Sequence, residues 1–586
     1  MTRPRNRHSL SRRRLRGFLV VVVLVFTIFG LRLFQIQGLD TQAYAARAVE
    51  AGTARTTVPA PRGDILDRNG KDLATSVDGL TITADPSMTS DNAPRIARIL
   101  VQKIGEDHID YFDTIDKLRK PDSRFVYLVK GVPAWTAKKA VAAVQKAGFT
   151  GVFSEKESLR TYPGGRLAAN LIGYVDGSGK GVQGIERQYD KQLTGTDGSS
   201  TYEVSPTGQR IPMADSTVKK MVPGGDVVST IDRDLQWYAD QRLADAVRAS
   251  SSDWGLAITM DVRTGQIVQM SQVPTFDPDN QTGMQDYNTV SRAVQNVYEP
   301  GSVMKTVTMA SLADQGKIAP DTPIVVPGGM TIDKFHIGDY WKHGTIHLTA
   351  AGVIAKSSNL GTIVASQQMS DETMYRYFHK FGFGTKSGVE LPGESQGILK
   401  PGKEWTKANH ATIAFGQGVS VTAMQMVRAV GAIANGGVMV DPTVVEGFIS
   451  PDGKRTDAEP TASRRVVSKK AAAIVTRMME AVTAKDGTAP AAAIPGYRVA
   501  GKTGTAWRVN PVTGKYVRGQ NTVSFMGFAP ADKPRFLTYI VLDKPYSAAG
   551  GGSTAGPVFH DIMSMALERF GVAPTGSKPP KVRQDW

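Results

Sequence analysis

The sequence contains no cysteine among its 586 residues. This excludes disulfides, thiolate zinc sites and cysteine nucleophiles. The histidines number 8 and are scattered, and no H-E-x-x-H pattern occurs, so the sequence predicts neither a catalytic metal nor another cofactor. Internal repeats are also missing. A chain without cysteine suits an extracytoplasmic enzyme, but many cytosolic proteins share this property.

Acidic residues are outnumbered by basic ones, and the formal net charge is +16. Such a chain could face nucleic acid, an anionic membrane or an acidic polymer. Part of the excess is local, because the first 16 residues contain seven arginines and no acidic residue: Arg3, Arg5, Arg7, Arg12, Arg13, Arg14 and Arg16. The remainder is spread along the chain, which is typical of a solvated surface, and we expect no nucleic-acid partner.

Residues 17–37, GFLVVVVLVFTIFGLRLFQIQ, form the one long apolar run near the N-terminus. The run is long enough to cross a bilayer of about 30 Å as a helix. Because the arginine cluster precedes it, residues 1–16 are predicted to be a cytoplasmic tail and everything after residue 37 to be outside. A cleaved signal peptide is the alternative, although LRLFQIQGLD offers no small-x-small cleavage site.

The rest of the chain is expected to form two domains of different character. Residues 38–220 contain short strands, a hairpin turn at Asn69-Gly70 and a mainly helical stretch over 91–148. We call residues 38–220 the pedestal. Residues 221–571 read as a hairpin, central helices, late strands and a last helix, which predicts an α+β domain with a central antiparallel sheet. The tail, residues 572–586, is predicted to be disordered.

GYRVAGKTGTAW, residues 496–507, fits two incompatible motifs. It contains G-x-x-x-x-G-K-T, the signature of a phosphate-binding P-loop, and also K-T-G followed by Thr505. A P-loop requires a helix that begins at its lysine. The residues around Lys502 favour a strand, so the nucleotide-binding interpretation is disfavoured.

The segment YEPGSVMK places Ser302 and Lys305 at a helix start, because Pro300 and Gly301 interrupt the chain. Residues three apart share a helix face, so the amine is within reach of the hydroxyl. A serine needs an adjacent base to become a nucleophile, and a lysine can serve if burial lowers its pKa. Taken alone, S-x-x-K more often describes a capping serine beside an exposed lysine.

Two further motifs follow in the order S-x-x-K, S-x-N, K-T-G. Ser357 and Asn359 belong to KSSNLG, which alone could be a loop ending in a helix cap. The K-T-G segment supplies Lys502, Thr503, Gly504 and Thr505, or alternatively a strand that ends in a turn. All three motifs in this order are characteristic of penicillin-binding proteins and class A β-lactamases.

The sequence resembles the class B penicillin-binding proteins, most closely the division-specific FtsI-type branch. The resemblance runs from residue 17 to about residue 571. Beyond the three motifs it includes RGDILDRNG, YPGG, GIERQYDKQLTG, STIDRDLQ, PTFDP, FGFG and FGQGVSVTAMQM. It implies a single transmembrane helix, a dimerisation-type pedestal and a transpeptidase domain of the penicillin-binding and β-lactamase-like fold.

The resemblance also implies a mechanism and partners. Ser302 is the nucleophile towards a stem peptide that ends in D-Ala-D-Ala, Lys305 is its general base, and Ser357 relays a proton beside Lys502. Substrate binding falls to Asn359, Thr503, Gly504 and Thr505, and the backbone N–H groups of Ser302 and Thr505 form the oxyanion hole. β-Lactams are expected inhibitors, and a SEDS-family glycan polymerase and division proteins are expected partners in septal wall synthesis.

Several alternatives stay open at this stage. The chain could be an elongation-type transpeptidase, a D,D-carboxypeptidase, a β-lactamase, a β-lactam sensor or a non-catalytic scaffold. Ser358 stands where class A β-lactamases have aspartate, although class B proteins vary there. No E-x-x-L-N motif is present to activate water, which favours transfer to an amine over hydrolysis.

Overall fold

The protein is described from a computed structural model that covers residues 8–39, 53–203, 216–281, 284–510, 513, 515–546 and 550–586. The chain divides into two compact units, each described by itself. One contains residues 1–60 and 196–222, and the other contains residues 61–195 and 223–586. The seven N-terminal residues of the predicted cytoplasmic tail lie outside the described residues.

The first unit contains an apolar helix and a small sheet. The helix spans His8–Phe34 and continues as a π-helix over Gln35–Leu39. Its large apolar side chains are exposed, with Phe26 72% accessible, and the stretch Arg12–Gln37 is long and apolar enough to cross a membrane. Strand Gly198–Glu203 pairs antiparallel with Thr53–Val58 on one side and Ser216–Lys219 on the other. An exposed apolar helix of this length supports a membrane anchor.

A small lobe of the second unit has its own hydrophobic core. Strand Asp72–Ala84 pairs with Val126–Pro133 and Val152–Thr161, and three helices complete the lobe: Ala93–Ile104, Tyr111–Leu118 and Ala134–Lys146. The helical stretch predicted over 91–148 is confirmed, with Ala93–Ile104 and Ala134–Lys146 as its amphipathic helices. The strand Val126–Pro133 between them was not expected. Its burial alternates from Val126 to Leu128, as in a half-buried strand.

The lobe joins the rest of the unit through a mixed sheet. Strand Ile65–Leu66 pairs antiparallel with Asp72–Ala84 and parallel with Asp226–Ser229. Strand Val445–Ile449 pairs with Asp226–Ser229, and Arg455–Asp457 follows it. This pairing places residues 61–195 in one compact unit with residues 223–586. Strand pairing between Ile65–Leu66 and Asp226–Ser229 thus connects residues on the two sides of the predicted boundary at residue 221.

A five-stranded antiparallel sheet forms the centre of the second unit. Its strands lie in the order Ile267–Val273, Trp254–Asp261, Phe536–Asp543, Tyr516–Ala529 and Ala500–Val509. Helices cover both faces of the sheet. On one face, a Cβ at Gly255 would meet helix Arg233–Ser250, and on the other face Met260 contacts Gly431 in helix Ala423–Ala434. The last helix, Gly551–Arg569, packs on the first of these faces through Phe559 and Phe525. The predicted α+β fold with a central antiparallel sheet is confirmed.

The remaining elements also belong to the second unit. The α-helices are Pro86–Thr89, Ala169–Ile172, Gly184–Gln188, Asp190–Leu193, Asp286–Thr289, Arg292–Gln295, Lys305–Asp314, Ala350–Ala355, Asn359–Ser366, Asp371–Lys380, Lys407–Ala414 and Lys469–Glu480. Short 3-10 helices span Ser90–Asn92, Gly301–Met304, Gly402–Glu404 and Pro490–Ala492. The other strands are Pro323–Val326, Met330–Ile332, Phe335–Ile337, Ile346–Thr349, Val438–Val440 and Ser463–Arg465.

Residues 572–586 differ from the expectation of disorder. They run along the domain surface in extended form, and Asp585 bridges antiparallel to Leu348. The Thr349 backbone N–H donates to the Gln584 carbonyl at 3.0 Å, and the Trp586 indole stacks on His347 at 4.8 Å. The polar, proline-containing composition conceals this arrangement, because its stabilising contacts are backbone hydrogen bonds and the packing of Val582 against the core.

Candidate active site

Ser302 lies in the tight turn that opens a buried helix. The 3-10 turn Gly301–Met304 leads directly into helix Lys305–Asp314. Gly301 has φ +57°, and a Cβ at this position would lie 2.8 Å from the carbonyl oxygen of Thr505. Only glycine fits such a close approach of helix start and strand. Ser302 is half-buried, and among the described residues its hydroxyl makes no hydrogen bond.

Lys305 is fully buried one turn after Ser302. Its Nζ donates to the Ser357 carbonyl at 2.5 Å, to Asn359 Oδ1 at 2.8 Å and to Ser357 Oγ at 3.4 Å. Burial lowers the pKa of Lys305 to about 7, although the nearby negative charge of Asp339 opposes the shift. A lysine with this pKa can accept a proton near neutral pH.

The S-S-N segment connects two helices in a constrained conformation. Ser357 has φ +57°, a left-handed value that costs a non-glycine residue about 1–3 kcal/mol unless its surroundings hold it. Ser358 caps helix Asn359–Ser366, since its Oγ accepts from the Gly361 backbone N–H at 2.9 Å. The capping interpretation is thus correct for Ser358, while Ser357 and Asn359 face the buried lysine.

Lys502 reaches the Ser357 hydroxyl from the edge strand of the central sheet. It is fully buried, and its Nζ donates to Ser357 Oγ at 2.8 Å and to Thr503 Oγ1 at 3.2 Å. Burial and the neighbouring Lys305 hold the pKa of Lys502 well below its usual value. The Ser357 hydroxyl therefore lies between two buried amines, a suitable place for a group that relays protons.

The K-T-G segment lies inside a strand and does not begin a helix. Lys502 pairs with Met526 and Gly504 with Ser524 in strand Tyr516–Ala529. A Cβ on Gly504 would lie 2.2 Å from Ser524 Oγ and 3.0 Å from Val303 Cγ2. The P-loop interpretation is thereby excluded. Ala500–Val509 ends the strand order, so its outer edge is available for a substrate backbone, and the Thr505 side chain is exposed there.

The sequence analysis missed two acidic residues that border this site. Asp339 accepts hydrogen bonds from Ser358 Oγ at 2.6 Å and from the Leu360 backbone N–H at 3.1 Å. Glu299, next to Pro300, accepts from the Gly418 N–H at 2.7 Å and from the Tyr516 hydroxyl at 3.1 Å. Adjacency to S-x-x-K could have indicated Glu299. No local pattern connects Asp339 to Ser358.

The chain matches two protein families over most of its length. Residues 57–229 match the penicillin-binding protein dimerisation domain, and residues 255–564 match the penicillin-binding protein transpeptidase domain. These matches agree with the motifs of the pedestal and of the site.

Curated relatives and a solved structure extend the comparison. Penicillin-binding protein PbpB of Mycolicibacterium smegmatis is 35% identical, covering 94% of this chain and 90% of the relative. Peptidoglycan D,D-transpeptidase FtsI of Buchnera aphidicola is 29% identical, covering 95% of each chain. The crystal structure of penicillin-binding protein 3 from Mycobacterium tuberculosis, complexed with aztreonam, has a TM-score of 0.71 and 32% identity over 91% of this chain and 100% of that one. The motif-based resemblance is confirmed: the chain belongs to the class B penicillin-binding proteins, with a dimerisation domain followed by a transpeptidase domain.

Proposed function

We propose that the chain is a membrane-anchored serine D,D-transpeptidase that cross-links peptidoglycan stem peptides through an acyl-enzyme on Ser302. The observation that carries this proposal is the hydrogen-bonded convergence of Lys305, Ser357 and Lys502 one helical turn from Ser302. Three motifs more than 50 residues apart in sequence form one buried proton network, as acyl transfer by a serine requires.

In the acylation step, Ser302 Oγ attacks the carbonyl carbon of the penultimate D-Ala. The neutral amine of Lys305 accepts the hydroxyl proton, and the carbonyl oxygen becomes an oxyanion. Backbone N–H groups of Ser302 and Thr505 are the proposed donors to this oxyanion, each contributing about 3–4 kcal/mol. When the C–N bond breaks, the Ser357 hydroxyl passes a proton to the departing D-Ala nitrogen and regains one from the amines of Lys305 and Lys502.

In the second step, the amine of another stem peptide attacks the ester carbon of Ser302. The amine loses a proton to the same network, the ester C–O bond breaks, and Ser302 regains its proton as the cross-link forms. A β-lactam acylates Ser302 by ring opening, so its nitrogen remains attached and blocks the site. The similar penicillin-binding protein 3 of Mycobacterium tuberculosis was solved in complex with aztreonam, which supports β-lactams as inhibitors.

Substrate recognition is assigned to the edge strand and the loop above it. Thr503 and Thr505 are the proposed partners of the substrate carboxylate, with Gly504 allowing close approach of the peptide. Asn359 is proposed to bind the substrate amide. Its Oδ1 accepts from Lys305 and its Nδ2 donates to the Gly338 carbonyl at 3.1 Å, so the substrate replaces or shares these contacts.

The cellular setting forms the remaining part of the proposal. Arginines before the apolar helix support a cytoplasmic N-terminus and an extracytoplasmic catalytic domain. The FtsI relative supports action in septal synthesis, with a SEDS-family glycan polymerase and division proteins as proposed partners. The domain division into 38–220 and 221–571 is retained as part of this proposal.

The assignment is tested by labelling the full-length chain in detergent micelles with fluorescent penicillin. We expect Ser302→Ala to abolish covalent labelling, because no other group replaces the nucleophile. Ser154→Ala, the same change on the exposed surface of the small lobe, should label like the unmodified chain. Peptide mapping of the adduct should place the added mass on Ser302.

Undiminished labelling of Ser302→Ala would contradict the assignment. Rapid release of the opened drug by the unmodified chain would favour a β-lactamase instead of a transpeptidase.

A further inference from the structure

Asp339 holds the catalytic loop from a position outside the three motifs. Its side chain is fully buried. Its carboxylate accepts from Ser358 Oγ at 2.6 Å, from the Leu360 N–H at 3.1 Å and from the Asn359 N–H. Asn359 in turn contacts Lys305, so Asp339 is one residue removed from the proposed base.

His343 lies within hydrogen-bond distance of the Asp339 carboxylate. Its Nε2 lies 3.1 Å from Asp339 Oδ2, and its Nδ1 lies 2.6 Å from the Gly344 carbonyl oxygen. Both of these oxygens are hydrogen-bond acceptors. A neutral imidazole carries one N–H, so only the imidazolium can donate to both at once. The side chain is 7% exposed and packs against Trp341, which keeps the imidazole close to Asp339.

The charge on Asp339 affects whether Lys305 is protonated. Lys305 must be uncharged to accept the Ser302 proton, and the carboxylate favours its charged form. On the opposite side of Ser357, burial and the charge of Lys305 lower the pKa of Lys502. Burial and the charge of Asp339 also raise the pKa of the Tyr340 phenol. A cation beside Asp339 offsets its influence on Lys305 without removing its hydrogen bonds.

We propose that Asp339 and His343 form a charge-compensated pair that positions the Ser357–Asn359 loop and keeps the Lys305 amine able to accept the Ser302 proton. Both are positioning residues, because they act through Asn359 and Ser358. The inference rests on the proposed function, since it concerns the same acyl-enzyme.

The test is the pH profile of acylation by fluorescent penicillin, measured on the full-length chain in micelles. In the unmodified chain the rate should rise as Lys305 loses its proton, near pH 7. His343→Gln leaves Asp339 uncompensated, so the rising limb should move to higher pH by about one unit. The rate at pH 7 then falls about fivefold while the alkaline plateau stays within about twofold. His343→Arg keeps a cation beside Asp339, so its rising limb should lie at the same pH as that of the unmodified chain.

Asp339→Asn provides the opposite change. Loss of the negative charge should move the limb to lower pH, while loss of an acceptor for the loop lowers the plateau. His336→Gln makes the same substitution on the exposed neighbouring hairpin and should leave the profile unchanged. A purely structural role predicts lower plateaus with no movement of the limb.

Superimposable limbs for the unmodified chain, His343→Gln and Asp339→Asn would overturn this proposal while leaving Ser302 as the nucleophile. Labelling that persists in Ser302→Ala would instead overturn the proposed function. Thermal unfolding of each variant shows whether lost labelling reflects a lost fold. If His343→Gln does not fold, the pH profile of His343→Arg still shows whether a cation at this position keeps the rising limb in place.

Discussion

Lys305 and Lys502 are both fully buried and approach one serine hydroxyl from two elements. Burial favours the uncharged form of each, and the charge of Lys305 further lowers the pKa of Lys502. The cost of this arrangement falls on stability, because the unfolded chain binds protons that the folded chain releases.

Replacing Lys305 by methionine should separate activity from stability. We expect Lys305→Met to abolish penicillin acylation and, near pH 7, to stabilise the protein by about 1–3 kcal/mol. The pKa of Lys305 is about 7 in the folded chain and near the ordinary lysine value of 10.5 in the unfolded chain. Between these values the unfolded state binds more protons, so stability of the unmodified chain rises with pH and the advantage of the variant shrinks towards pH 10.

Urea unfolding at several pH values, followed by tryptophan fluorescence, measures this difference. Lys103→Met, on an exposed helix surface, serves as the control and should show no such pH dependence. A constant difference between Lys305→Met and the unmodified chain across pH would contradict the prediction.

Among the elements, the C-terminal segment and helix Ala350–Ala355 depend on each other. Thr349 caps this helix, and its Oγ1 also donates to the Arg583 carbonyl at 2.7 Å. Gly352 lies in the first turn, where a Cβ would be 1.8 Å from the Gln584 carbonyl oxygen. The helix ends at the S-S-N loop, so the segment supports the element that delivers Ser357.

A double-mutant cycle tests this support. Deleting residues 580–586 should destabilise the chain by about 1–3 kcal/mol, because the Thr349 donors lose their partners. Gly352→Ala should destabilise the intact chain by a similar amount, since the added methyl displaces residue 584. In the deleted chain the same substitution should stabilise by about 0.5–1 kcal/mol, because alanine is the better helix former.

Chemical unfolding of the four chains gives the coupling free energy directly. If Gly352→Ala has the same effect with and without residues 580–586, the segment does not contact the helix in solution.

For the whole molecule, a buried ion network fixes the segment that leads into strand Ile65–Leu66 of the mixed sheet. Glu186 is fully buried and accepts from Arg62 Nε and Arg160 Nε, each at 2.7 Å. Arg62 also pairs with Asp190 at 2.8 Å, and Arg160 donates to the Gly63 carbonyl. Strand Ile65–Leu66 follows within a few residues and enters the sheet beside Asp226–Ser229.

Glu186→Gln should cost about 3–5 kcal/mol, because two buried guanidinium groups lose their counter-charge. Thermal unfolding measures the loss, and penicillin acylation of the folded fraction should persist since the network lies outside the site. Asp113→Asn removes an exposed partner of Lys117 and should change stability by less than about 0.5 kcal/mol. A Glu186→Gln chain as stable as the unmodified one would contradict this account.

Local patterns predicted several elements correctly. Asp232 caps helix Arg233–Ser250, because its side chain accepts from the Leu235 N–H. The turn at Asn69-Gly70 and the two amphipathic helices of the small lobe also depend on residues close in sequence. Strand Val126–Pro133 and the docked segment 572–586 were missed. Both are stabilised by hydrogen bonds to distant strands, which short patterns do not encode.

The sequence by itself determined the apolar N-terminal helix and the fold class and predicted the reactive groups, because apolar length, periodicity and motif order are local properties. Only the tertiary structure decided which groups meet. The proximity of Lys502 to Ser357, 145 residues away, the burial that lowers the pKa of Lys305, and the Asp339–His343 pair all arise from packing. Electrostatic effects depend on distance and on exclusion of water in three dimensions, and spacing along the chain fixes neither.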